Sequence, residues 1–118
     1  MVRMLHFAIL LANSLIFAVT AFALSPQSRK IIVDTDPGAD DAMAILLALN
    51  SPELEVKALT VVPGNVVAEQ GLENALKLAS LAGRCDIPVG RGAQRPLAQK
   101  LVTAEFFHGQ NGLANLEL

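Results

Sequence analysis

The run Ile31-Ile32-Val33 leads straight into Asp34-Thr35-Asp36-Pro37-Gly38-Ala39-Asp40-Asp41. An uninterrupted apolar run of this kind suits a strand buried on both faces, as parallel sheets require. Pro37-Gly38 then breaks the strand. Four carboxylates fall within these eight residues, more than a third of the eleven acidic side chains in the 118-residue chain. Two like charges about 5 Å apart repel by about 3 kcal/mol at an effective dielectric near 20. A fold that crowds four of them at the end of a buried strand must offset that repulsion.

The segments that follow alternate in type. Asp40 and Asp41 open DDAMAILLALN, whose Ala, Met and Leu content favours helix. That helix is apolar nearly all round and is expected to be well buried. Ser51-Pro52 ends it, LEVKALTVV reads as a second strand, and PGN is its terminal loop. In VVAEQGLENALKLASLAG, Leu72, Ala75, Leu76 and Ala79 follow the i, i+3, i+4, i+7 spacing of a helix face. Gly83 lies just past its end, where a left-handed cap is expected. DIPVGRG reads as a short third strand. From Ala93 on there is no periodicity, and Gly109 and Gly112 make FFHGQNG a loop. Strand, helix, strand, helix, strand predicts an α/β fold with a mostly parallel, Rossmann-like sheet and right-handed crossovers. Three strands and two helices leave an open edge and little cover for the sheet faces. Residues 30–118 therefore read as the front part of a larger domain.

Ahead of the first strand, MVRMLHFAILLANSLIFAVTAFALS holds a single charged side chain, Arg3, then an apolar core and the small-x-small triplet Ala21-Phe22-Ala23. This pattern predicts a secretory signal peptide over 1–23 and a short linker over 24–29. The product would be secreted or periplasmic, with no membrane attachment after cleavage. A retained anchor is the alternative, weakened by Asn13, Ser14 and Thr20 within the apolar stretch. The net charge of −2 becomes more negative once Arg3 is removed. There is no basic run and no Trp or Tyr to stack bases, which argues against nucleic acid as a partner. Cys85 is the only cysteine, so no intrachain disulfide can form. Its place at the end of an apolar helix predicts a buried thiol.

Ligands of open α/β sheets bind at the carboxyl ends of the strands, where Asp34 and Asp36 fall. Residues two apart in an extended segment point the same way, so these two acids can share one side. Asp40 and Asp41 fall at the start of the next helix, near its positive dipole end. The turn is expected to bring all four acids towards one small volume. Helix capping explains Asp40 and Asp41 but leaves Asp34 and Asp36 unexplained. A hard divalent cation would turn the repulsion into attraction. The EF-hand template fails, because Ala39 stands where its glycine is needed and Ile45 where its final Glu is needed. Zinc-type His/Cys spacing is absent. An all-oxygen site for calcium or magnesium remains.

The stretch IIVDTDPGADDAMAILLAL resembles the opening of the nucleoside hydrolases, the inosine–uridine-preferring N-ribohydrolases, whose hallmark is an Asp-x-Asp-Pro-Gly-x-Asp-Asp loop after the first strand. VVPGN and HGQNG follow in the family's order, and the resemblance runs from about Lys30 to Gly112. It implies a single larger α/β domain that binds Ca²⁺ and hydrolyses the N-glycosidic bond of a ribonucleoside to ribose and free base. Carried onto this chain, it makes Asp36 a calcium ligand and the general base on a bound water. Asp41 becomes the second calcium ligand of the loop, and Asp40 the acid that hydrogen-bonds ribose hydroxyls. Asp34 supports the site, Asn65 reaches the ribose and His108 lies near the base pocket. The remaining ligands, a backbone carbonyl and a distal aspartate, are expected beyond Leu118, as is the leaving-group histidine. Full-length members are expected to be homo-oligomers. Carboxylates beside the ribose would stabilise its oxocarbenium character as the base departs. Asn65 could also cap the following helix, and His108 could be an exposed loop residue. Two other functions stay open: a haloacid-dehalogenase-type phosphatase with Mg²⁺ and an aspartyl nucleophile, and a non-catalytic ligand-binding remnant.

Overall fold

A computed structural model describes residues 27–118. The expected signal peptide and the first three residues of the linker, 24–26, lie outside the described residues. Three strands and three helices alternate: β1 (Arg29–Thr35), α1 (Ala39–Asn50), β2 (Leu54–Val61), α2 (Ala68–Leu81), β3 (Val89–Arg91) and the one-turn α3 (Glu105–His108). The strands are parallel in the order β1-β2-β3. Two crossovers that advance the same way along the sheet and share one hand put α1 and α2 on one face. There α1 packs on β2 and α2, while α2 packs on β2 and β3. The core between them holds Ile45 and Leu49 from α1, Val56, Leu59 and Val61 from β2, and Ala75 and Leu78 from α2.

The one-sided layering corrects two readings. The first strand is not buried on both faces: Ile31, Val33 and Thr35 turn towards the helices, and Ile32 is 65% exposed on the uncovered face. The first helix is not buried all round, because it has a single packed side. Ile45 and Leu49 are buried, while Met43 and Leu47 are 69% and 71% exposed. On α2 the inward stripe runs through Ala68, Gly71, Asn74, Ala75, Leu78 and Ala79, so Leu76 faces outward. Cys85 is exposed. Gly83, at φ +68°, ends the helix as expected and turns the chain out towards solvent. Arg84 and Asp86 flank the thiol there, paired at 3.0 and 3.1 Å, and this bond holds the Asp86 carboxyl below its ordinary value. Among the described residues, no helix is long and apolar enough to cross a membrane.

The register places the functional loops. Between Ile31↔Val56 and Ile32↔Ala58 the pairing skips Lys57, a bulge that shifts β2 by one residue. The last rung is then Thr35↔Val61, so β1 and β2 end level with each other. Val62 N–H donates to Thr35 O at 3.0 Å just past that rung. The loops DPG after β1 and PGN after β2 therefore leave the sheet side by side.

Candidate active site

Asn65 joins these two loops. Its backbone N–H donates to Asp36 Oδ2 at 3.0 Å. Its side-chain Nδ2 donates to the Asp36 carbonyl at 2.9 Å and to Asp41 Oδ2 at 2.8 Å. Asp41 is also met by the Thr35 hydroxyl at 3.0 Å and by Gly38 N–H at 3.2 Å. In the Gly38 bond the Asp41 side chain, at N3 of α1, reaches back to the N-cap N–H; Gly38 has no side chain to return the second bond of a capping box. The α1 amino end adds its positive dipole. Hydrogen bonds to ionised acceptors are the strong ones, and these donors offset part of the repulsion between the two carboxylates. Close approach fixes two residues here. A Cβ on Gly64 would overlap Asp36 Oδ2, and one on Gly38 would lie 2.6 Å from Asn65 Nδ2 and 2.8 Å from His108 Nδ1.

The other two acids do not join this pair. Asp40 points its exposed carboxylate towards His108, with Oδ1 3.7 Å from Nδ1, beyond hydrogen-bond reach. Asp34 is exposed and accepts the Thr60 hydroxyl of the neighbouring strand. Alternation along β1 turns Thr35 inward to Asp41, so Asp34 is left on the opposite face. The four acids thus separate into a linked pair, Asp36 and Asp41, and two outliers. Asn65 is not the cap of the following helix, because the N-cap of α2 is Val67. His108 is not an exposed loop residue. It sits buried on α3, and Ala39 N–H donates to its Nδ1 at 3.3 Å, across 69 residues of sequence. An accepting Nδ1 puts the proton of the neutral ring on Nε2. The α3 turn is tied to the same hub by Ala104 N–H, which donates to Asn65 O at 3.0 Å. Thr35 and Gly64 also belong to the site; the period-2 alternation of β1 points to Thr35, and nothing local in the sequence points to Gly64.

The donor set decides which ion the pair could take. Two carboxylates with hard oxygens suit calcium or magnesium and not a thiolate- or imidazole-seeking metal. Among the described residues, no three His, Cys, Asp or Glu side chains gather closely enough to hold a metal ion. Asp36 and Asp41 alone would supply only part of a hard cation's oxygen shell.

The profile of a family described as inosine-uridine preferring nucleoside hydrolase matches residues 31–118. The chain is 52% identical over 87 residues to the pyrimidine-specific ribonucleoside hydrolase RihA of Photobacterium profundum, a match covering 74% of this chain and 28% of that protein. It is 53% identical over 89 residues to the probable uridine nucleosidase 2 of Arabidopsis thaliana, again covering 74% of this chain and 28% of the relative. The fold superposes on a plant nucleoside hydrolase, the PpNRh1 enzyme, with a TM-score of 0.72 and 50% identity, covering 80% of this chain and 30% of that one. The chain spans about 28% of the length of the curated relatives it matches.

Proposed function

Because the chain belongs to the inosine-uridine preferring nucleoside hydrolase family, we propose that residues 31–118 carry the carboxylate loop of a site that hydrolyses the N-glycosidic bond of ribonucleosides. The observation that carries this reading is the Asp36–Asn65–Asp41 link at the level ends of two parallel strands. Asp36 takes a proton from the attacking water as general base. Asp36 and Asp41 would together hold Ca²⁺, which when bound supplies the charge that positions a water and makes it more acidic. Asn65 donates both side-chain hydrogens within the loop. Its Oδ1 is the atom left to accept from a ribose hydroxyl. Asp40 accepts from the ribose at the head of α1, and Asp34 braces β1 against Thr60. His108, held through Nδ1, offers Nε2–H towards the base. As the base leaves, the carboxylates stabilise positive charge on the sugar. Membership in this family sets aside the phosphatase alternative.

A graft tests the proposal. Residues 31–118 replace the matched segment of the Photobacterium RihA, and free base is assayed with uridine and inosine in the presence of Ca²⁺. Uridine comes first because the two curated relatives above are named for pyrimidine ribonucleosides and uridine. We expect base release. A graft that folds and binds nucleoside, yet releases no base from either substrate while the parent does, would sink the reading.

A further inference from the structure

We propose that Asn74 is a positioning residue that locks the carboxylate loop to the loop carrying His108. The inference rests on the proposed function only in naming what is positioned. Asn74 is 1% exposed in the middle of α2. Asparagine is a weak helix former, and a polar group buried there is costly unless its hydrogen bonds are met. Here the two donors are met by partners 37 residues away in sequence, and the acceptor by a neighbour one turn back. Nδ2 donates to Pro37 O at 3.1 Å and to Asn111 O at 2.8 Å, and Oδ1 accepts from Gln70 Nε2 at 3.1 Å. One amide therefore grips the carbonyl inside the Asp-Pro-Gly turn and a carbonyl of His-Gly-Gln-Asn-Gly together.

The surroundings are shaped to this grip. One turn earlier, Gly71 lets α2 approach: a Cβ there would meet Val61 Cγ1 at 2.9 Å and Pro37 Cδ at 3.3 Å. Gly112, at φ +77°, sits against the knot, where a Cβ would lie 3.0 Å from Asn74 Nδ2 and 3.2 Å from Pro37 O. From Pro37 the constraint passes to Gly38 and so to Asp41, and from Asn111 it passes back to His108. Asn74 touches none of the acids. It acts on the site by fixing the carbonyl beside Gly38 and the segment that delivers His108 to Ala39 N–H.

Amide hydrogen exchange of the 118-residue chain, followed by NMR in metal-free buffer, tests this. Asn74→Leu keeps the side-chain size and removes both donors. Exchange of the Ala39 and Asn65 amides should rise about tenfold or more, because two carbonyls lose their partner and the loops open locally. The Leu59 and Gly92 amides, which bond to Pro88 O and Val61 O in the sheet, should keep their rates. Asn74→Ala is the second variant should leucine prevent folding. Unchanged exchange at Ala39 and Asn65 overturns the proposal. So does uniform acceleration across all four amides, or failure of both variants to fold, since either makes Asn74 a general stability residue. The comparison needs neither calcium nor nucleoside, so it stands or falls apart from the graft assay.

Discussion

Asp36 carries two proposed duties, and substitution separates them from folding. Asp36→Asn keeps an oxygen to accept Asn65 N–H, the contact that closes the two loops at 3.0 Å. It loses the ability to take a proton. In the graft we expect a fall in kcat on the order of 10² to 10⁴, the usual cost of a lost positioned base. Unchanged uridine turnover would remove Asp36 from that role. Gly64 gives a test of packing at the same atom. Gly64→Ala puts a methyl group into the space held by Asp36 Oδ2. The carboxylate or the loop must move, and overpacking of this kind costs about 1–3 kcal/mol. Urea unfolding of the 118-residue chain should show an earlier midpoint for the variant. An identical midpoint would mean that the PGN loop shifts freely and does not fix Asp36.

Among the elements, α1 joins structure to chemistry most directly. Its first turn holds Asp40 and Asp41, and Asp41 uses both oxygens to receive donors from three residues, Thr35, Gly38 and Asn65. The same helix exposes Met43 and Leu47, so its identity as a helix rests on propensity and capping as much as on burial. Element boundaries agree well with the pattern of the sequence. The helix face of α2 does not, since Leu76 at 51% exposure takes the place expected of a core residue while Asn74 is buried. A 3.6-residue repeat leaves more than one stripe consistent with the same leucines and alanines, and the partner surface selects among them. The signal peptide expected over 1–23 lies outside the described residues, and we propose that it is removed. N-terminal sequencing of exported protein should begin at Leu24. An intact Met1 on membrane-embedded protein would point to a retained anchor.

For the molecule as a whole, the described residues bring two carboxylates to the site, against the six to eight oxygens, roughly, that surround calcium in proteins. Water can complete such a shell but adds neither charge nor preorganisation. The 118-residue chain should therefore bind Ca²⁺ weakly in calorimetry and release no measurable base from inosine or uridine, because sugar positioning is incomplete as well. Tight calcium binding, or clear base release, would show a complete site within these residues. The uncovered sheet face around Ile32, with Met43 and Leu47 exposed on α1, should also make the chain self-associate as concentration rises.

The sequence by itself determined the alternation of strands and helices, the left-handed glycine after α2, and the loop that holds Asp36 and Asp41. These are local properties: propensity, periodicity and turn chemistry act over a few residues. Family resemblance named the same loop from its complete octapeptide. Only the tertiary structure decided which acids meet. The level ends of β1 and β2 follow from a bulge at Lys57, and that register brings Asn65 to Asp36 and Asp41 while leaving Asp34 with Thr60. The burial of His108 against Ala39, and the Asn74 bonds to Pro37 and Asn111, join residues 69 and 37 positions apart. No local pattern encodes such pairings, because they depend on how closely one packed element approaches another.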